Sequence, residues 1–275
     1  MQLAERLAIA TDIAEGAGRK ILAARNDQRF SQRYKHGTEL VTDTDVAVDE
    51  WISDRLQQHF PDEARLSEEI APDRQALGRK GPLWVVDPID GTVNFARGFP
   101  HVAVSIAWAV DGRVQIGVVH APFLDETFVA IRGEGAWRNQ ARIRASLANR
   151  LDSSLIATGF PYRRDGRQPL LRRFSAVMQH CQDVRRCGSA ALDLCNVACG
   201  RLDAYYESVS PWDFAAGLLI AREAGARTGH VYPAPESIPE ELYGEHIVAA
   251  APDIYVALRD LLQRTDEGRS ASGEA

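Results

Sequence analysis

The chain has 275 residues, 45% of them hydrophobic, with 32 Lys and Arg against 38 Asp and Glu for a formal net charge of −6. That length buries one large core or two joined subdomains, and the acidic balance argues against the basic face of a nucleic-acid binder. No stretch approaches the ~18 uninterrupted apolar residues of a membrane span. Met1–Arg6 carries an early acid and no apolar h-region, so no signal peptide is expected and cytoplasm is the expected compartment.

Leu3, Leu7, Ala10, Ala14, Ala17 and Ile21 recur at helical spacing, which predicts an amphipathic helix over 3–24 with small residues for close packing. After Lys35-His36-Gly37, the segment Leu40–Asp45 leads into a second helix with Val48, Trp51, Ile52, Leu56 and Phe60 on one side. Thr44 or Asp45 is its expected N-cap and Pro61 its stop. From Leu83 the period is two. Val102, Val104, Ile106 and Trp108 alternate with small residues, Asp111-Gly112 turns the chain, and Val114–Val118 returns as a partner strand. Glu126–Ile131 continues the sheet and Gly133-Glu134-Gly135 turns it, so residues 1–145 read as an α+β half on an antiparallel meander.

Residues 146–264 alternate as strand Leu155–Thr158, helices 168–181 and 189–199, strand Ala204–Glu207, helix 213–224, strand Ile247–Ala250 and helix 253–263. That order predicts an α/β half with helices on both faces of a second sheet. Residues 1–264 are expected to form one compact unit and Thr265–Ala275 a frayed, disordered tail. Cys181, Cys187, Cys195 and Cys199 include no Cys-x-x-Cys pair and no His-rich neighbourhood, and read as small reduced hydrophobes, with a zinc site or a redox pair as the alternative. His36, His59, His101, His120, His180, His230 and His246 show no ligand spacing and read as bystanders.

The chemistry concentrates in Asp87-Pro88-Ile89-Asp90-Gly91-Thr92, directly after the apolar run Leu83–Val86. Two acids at the end of a buried strand cost several kcal/mol or a shifted pKa, and divalent cations are the common relief. Residues three apart in a turn can aim both carboxylates at one point, with Pro88 limiting the conformations between them. The Ile89 carbonyl is a third oxygen, Gly91 lets backbone N–H groups approach an anion, and Thr92 adds a hydroxyl at a helix start. Alone, Asp-Pro-x-Asp-Gly is also an ordinary helix-capping turn. Glu68-Glu69 upstream, Asp45 at one helix start and Asp213 at another add carboxylates at element boundaries, more than independent caps explain.

These segments, with Val93-Asn94-Phe95, Leu40-Val41-Thr42-x-Thr44-Asp45, Gly188-Ser189-Ala190-Ala191 and Trp212-Asp213-x-Ala-Ala-Gly in order, resemble the inositol monophosphatase family of magnesium-dependent, lithium-sensitive phosphatases. The similarity runs from about residue 3 to about residue 263. It implies a layered αβαβα sandwich of two sheets with interleaved helices, α+β and α/β in character and like the sugar phosphatases. It also implies two or three Mg²⁺ ions. Glu68, Asp87 and the Ile89 carbonyl would hold a first; Asp87, Asp90 and Asp213 a second; and Glu68 would help a third, an oxygen set that suits Mg²⁺.

The implied reaction is hydrolysis of myo-inositol monophosphate or a similar small polyol phosphate by in-line attack of a metal-activated water. Thr92, Asp45 and Glu68 are the implied catalytic residues, and the N–H groups of Gly91 and Thr92 the implied phosphate cradle. Glu207, Asp90, Glu68, Asp213 and the Ala190 backbone are the implied substrate contacts. Lys35 resembles a basic residue on a loop near the metals, while Arg185 and Arg186 are open to substrate, partner subunit or solvent. Ser67 and Ile70 depart from the glycine and serine of many relatives, and Pro211 precedes Trp212.

A homodimer is implied, with no direct nucleic-acid or membrane binding. Histidinol phosphate, fructose 1,6-bisphosphate and 3′-phosphoadenosine phosphate are rival substrates within the family, and Val93-Asn94-Phe95 favours the inositol-like branch. A regulatory role through transcription machinery is the alternative from another class. Loss of a ligand would favour it, and none is lost.

Overall fold

The computed structural model describes residues 1–27, 30–35, 39–72, 77–78, 80–160 and 167–268. Helix α1 (Leu3–Asp27) buries Ala10, Ala14, Ala17 and Ile21 as expected. Strands β1 (Gln32–Lys35) and β2 (Glu39–Thr42) form an antiparallel pair. Helix α2 (Asp43–His59) is capped by Thr42, not by Thr44 or Asp45. Asp45 is instead its third residue, and the two close a capping box, so the helix starts earlier than its apolar pattern indicates.

Next come β3 (Ala64–Ser67), β4 (Pro82–Asp90), α3 (Thr92–Arg97), β5 (Ala103–Val110), β6 (Arg113–Ala121), β7 (Glu126–Ile131), β8 (Gly135–Arg138) and β9 (Ala141–Arg142). Among the described residues these strands make a seven-stranded sheet in sequence order, parallel only between β3 and β4. The second half contains β10 (Leu155–Thr158), α4 (Arg167–His180), β11 (Asp183–Arg185), α5 (Ala190–Ala198), β12 (Ala204–Glu207), α6 (Pro211–Glu223), β13 (Arg227–His230), β14 (Ile247–Ala250) and α7 (Pro252–Asp266). Its sheet runs β11-β10-β12-β14-β13, with β10 parallel to both neighbours and β14 antiparallel to both of its own. Helix α7 continues into the segment expected to fray, and residues 269–275 lie outside the described ones.

Strand alternation sorts the layers. Trp84, Val86, Ile106 and Trp108 pack against α1 and α2, while Leu83, Val85, Ala107 and Val119 face α5 and α6. On the second sheet Ala157, Tyr205 and Ala249 meet α5 and α6 from the other side, and Ile156, Ala204, Val248 and Ala250 pack with α7 and Val177 of α4. The result is the αβαβα sandwich, with α5 and α6 as its middle layer.

Two glycines set how deeply α6 sits. A Cβ at Gly117 on β6 would stand 2.7 Å from the Ala216 carbonyl, and one at Gly217 would stand 2.9 Å from Leu194 Cβ on α5. The first turn of α6 is tied to β5, where Ser105 Oγ donates to the Trp212 carbonyl at 3.0 Å. Ser105 is the cross-strand partner of Asp87, so that bond levels the start of α6 with the end of β4. Gly117→Ala is expected to lower stability by roughly 1–3 kcal/mol through overpacking, read as a lower urea midpoint. An unchanged midpoint would show that α6 has room to retreat.

Candidate metal centre

Asp87 extends the Leu83/Val85 face of β4 toward α6. Residues three apart on a regular strand point to opposite faces, yet Asp90 joins Asp87. Between the pairs Asp87–Ser105 and Asp90–Ala103 the register slips, three steps on β4 opposing two on β5. This bulge falls on Pro88-Ile89, where proline has no N–H for the ladder, and it returns the second acid to the side of the first. Gly91 follows at φ 101°, a left-handed conformation suited to glycine. A Cβ there would stand 2.9 Å from the His101 carbonyl.

Asp213 arrives from α6. The helix begins at Pro211, so Asp213 is its third residue and not its first, and its Oδ2 accepts the N–H of Ser210 at 2.7 Å. Asp87, Asp90 and Asp213 each offer a carboxylate oxygen, all within 4.8 Å of one another. Each acid spends an oxygen on an oriented donor. Asp87 Oδ1 accepts the N–H of Ile89 at 2.9 Å. Asp90 Oδ2 accepts Ser189 Oγ–H at 2.6 Å and the N–H of Ala191 at 2.7 Å, which ties the metal loop to the first turn of α5.

The electrostatics are those of a site built for a cation. Burial, then Glu68, Asp90 and Asp213, hold the Asp87 carboxyl well above the usual range. Burial and Asp213 push Asp90 up to about 8, with the Ser189 and Ala191 bonds only partly offsetting them. Hard oxygen donors that repel one another in a buried site fit a divalent ion of the Mg²⁺ kind.

Glu68 lies outside the trio but close enough to Asp87 to raise it, on a segment whose N–H donates to the Val86 carbonyl at 3.3 Å. That segment is held by a residue the sequence reading missed. Asp49 on α2 is 1% exposed, and its Oδ2 accepts the N–H groups of Glu69 and Ile70 at 3.0 and 3.1 Å. The signal was present as an acid one turn after Asp45 on the apolar face of α2. Ser67 closes the same turn by accepting the N–H of Ala71 at 3.1 Å.

Thr92 Oγ1 lies 2.9 Å from Asp45 Oδ1 and 3.2 Å from the Ile89 carbonyl. Asp45 Oδ2 accepts the N–H of Thr42 at 2.8 Å, and burial pushes the Asp45 carboxyl up to about 6. Glu207 accepts Tyr205 O–H at 2.7 Å. Burial pushes Glu207 up to about 8, and the charges of Asp213 and Asp193 add to the rise. Gly159, also missed, makes room for it, since a Cβ there would overlap the Glu207 carboxylate.

Ala190 opens α5 between the two residues that hold Asp90. Arg185 is exposed and pairs with Asp183, whereas burial raises Asp193, and the His101 bond and the charges of His101 and Arg186 only partly offset it. Lys35 ends β1, and His36 lies outside the described residues. Among the cysteines only Cys195 is fully buried; all four are free thiols.

A model of the inositol monophosphatase family matches residues 2–265. The chain is 41% identical over 238 residues to the Nus factor SuhB of Pasteurella multocida, covering 83% of this chain and 84% of that protein. It is 35% identical over 269 residues to inositol monophosphatase 1 of Solanum lycopersicum, covering 96% and 97%. The extragenic suppressor protein suhB of Bartonella henselae superimposes with a TM-score of 0.84 at 33% identity, over 94% of this chain and 99% of that one.

A carboxyl such as Asp90, raised on folding from 3.8 to about 8, makes the folded chain bind more protons than the unfolded one across that interval. Its contribution to stability therefore falls as pH rises through the window. A divalent ion relieves that loss, and binds better as the acids ionise. Added Mg²⁺ is expected to raise the Tm of EDTA-stripped protein more at pH 8 than at pH 6. Equal increments at the two pH values would contradict the carboxylate assignment. Asp49→Asn is expected to weaken Mg²⁺ binding by calorimetry by about tenfold, through the loosened Glu68 segment.

Proposed function

The chain belongs to the inositol monophosphatase family, and from that premise we propose that it is a Mg²⁺-dependent phosphomonoesterase of myo-inositol monophosphate or a similar small polyol phosphate. The supporting observation is the convergence of Asp87, Asp90 and Asp213 beside the hydrogen-bonded Thr92–Asp45 pair. Asp87, Asp90, Asp213, Glu68 and the Ile89 carbonyl would hold two or three Mg²⁺ ions. Bound there, Mg²⁺ supplies Lewis-acid charge that lowers the pKa of water and offsets charge on the phosphoryl and leaving oxygens.

The chain's own groups do the rest. Thr92 Oγ1 donates to Asp45 and keeps lone pairs for the attacking water, which it aims at phosphorus. The proton the water gives up passes through Thr92 Oγ1 to Asp45 Oδ1, a carboxylate raised far enough to hold it. The N–H groups of Gly91 and Thr92 take phosphate oxygens, with glycine supplying the left-handed backbone at the first of them. Glu207 accepts ring hydroxyls, with Asp90 and the Ala190 backbone beside it. A homodimer, lithium sensitivity and a cytoplasmic place of action belong to the same reading, and rest on the family.

Phosphate release is expected from inositol monophosphates, dependent on Mg²⁺, in a malachite-green panel that includes histidinol phosphate, fructose 1,6-bisphosphate and 3′-phosphoadenosine phosphate. No release from the inositol phosphates would remove the substrate assignment. Asp90→Asn and Asp213→Asn are each expected to lower kcat by roughly 10²–10³-fold with an unchanged near-UV spectrum. Thr92→Ala should lower kcat while the Mg²⁺ concentration for half-activity stays put.

The relatives named Nus factor SuhB favour a second reading, a partner-binding role in transcription alongside turnover. A macromolecular complex that survives Asp90→Asn would support it.

A further inference from the structure

A second ligand cluster lies beside the acidic centre and shares none of its residues. His101, Cys187 and Asp193 each place one donor atom within 4.8 Å of the other two. They come from the loop between α3 and β5, the turn before α5, and α5 itself. His101 Nε2 is hydrogen-bonded to Asp193 Oδ1 at 3.3 Å, a contact an entering ion would replace. That separation is about the edge of a tetrahedron whose centre is ~2.0 Å from nitrogen and oxygen. The backbones of two donors are fixed by one side chain: Asn94 Nδ2 donates to the carbonyls of His101 and Cys187, each at 2.8 Å. Asp193 is 2% exposed, while His101 and Cys187 are half-buried and open to an entering ion.

We propose that His101, Cys187 and Asp193 form a separate binding site for a borderline-soft divalent cation such as Zn²⁺. Imidazole, thiolate and carboxylate together select such an ion over Mg²⁺, which prefers oxygen alone. Three protein donors leave a fourth tetrahedral position for water. On binding, the Cys187 S–H bond breaks, sulfur keeps the electron pair as metal ligand, and its proton leaves to solvent; the Nε2 proton that joins His101 to Asp193 is exchanged through solvent for one on Nδ1, which frees the Nε2 lone pair for the metal. Arg186 opposes entry by its charge, being near enough to act on both Cys187 and Asp193. The site adjoins Gly188 and Ser189, so an ion there would stiffen the segment that holds Asp90.

The test adds Co²⁺ to the full chain under saturating Mg²⁺, because a thiolate-to-cobalt charge-transfer band reports sulfur ligation and the acidic centre has no sulfur. One equivalent is expected to produce the band, which should vanish in Cys187→Ser and persist in Cys199→Ser. His101→Gln and Asp193→Asn should weaken Co²⁺ binding by at least about tenfold. A wild-type protein without the band, or a band that survives Cys187→Ser, overturns the site. A second measurement needs no variant: Zn²⁺ should slow iodoacetamide alkylation of Cys187 by about tenfold or more, with Cys181 and Cys199 as internal controls. Equal Cys187 rates with and without Zn²⁺ also overturn it.

Discussion

Three carboxylates gathered in a buried site repel one another and forgo hydration, at a cost of several kcal/mol per uncompensated charge. Asp87, Asp90 and Asp213 nevertheless stand within one ion's reach, so the surrounding packing has to hold them there. Cross-strand pairing sets the height of β4, close approach at Gly117 seats α6, and Ser105 joins the two at the level of Asp87. Burial and mutual repulsion raise both the Asp87 and Asp90 carboxyls. A cation held there would exchange that repulsion for coordination.

Asp45 and Asp213 reach the site by one device. Each is the third residue of its helix, and each carboxylate turns back to the N–H of the capping residue just before the helix. The bond fixes one oxygen, and on Asp45 the other accepts Thr92. Helix cap and functional acid are therefore not rival roles here. A short polar residue followed three positions later by aspartate both begins the helix and sets the carboxylate. Asp90 is held from the opposite direction, by the first turn of α5.

Long helices and buried strands were legible from periodicity because their apolar spacing is strong, and the acidic motifs stood out because charge beside a buried run needs a cause. What escaped has two physical origins. Strands β3, β11 and β13 are four residues or fewer, and β11 and β13 have little burial, too short for a pattern to show. Other features depend on distant partners. Asp49 is an acid on the apolar face of α2 whose purpose shows only when the Glu69 and Ile70 amides are placed over it, and Gly159 means nothing before Glu207 arrives. His101 and Cys187 carry no shared spacing, because Asn94 joins them across the fold and not along it.

The middle-layer position of α6 also bears on the order in which a nascent chain matures. Until α5 and α6 emerge, the inner face of the first sheet has no cover, and its Leu83, Val85, Ala107 and Val119 side chains stay in water. Asp90 waits likewise for Ala191, 101 residues further along. Such long-range closure is slow compared with local folding. The larger sheet, although first off the ribosome, is thus not a self-sufficient folding module, and the acidic trio is assembled late in biosynthesis.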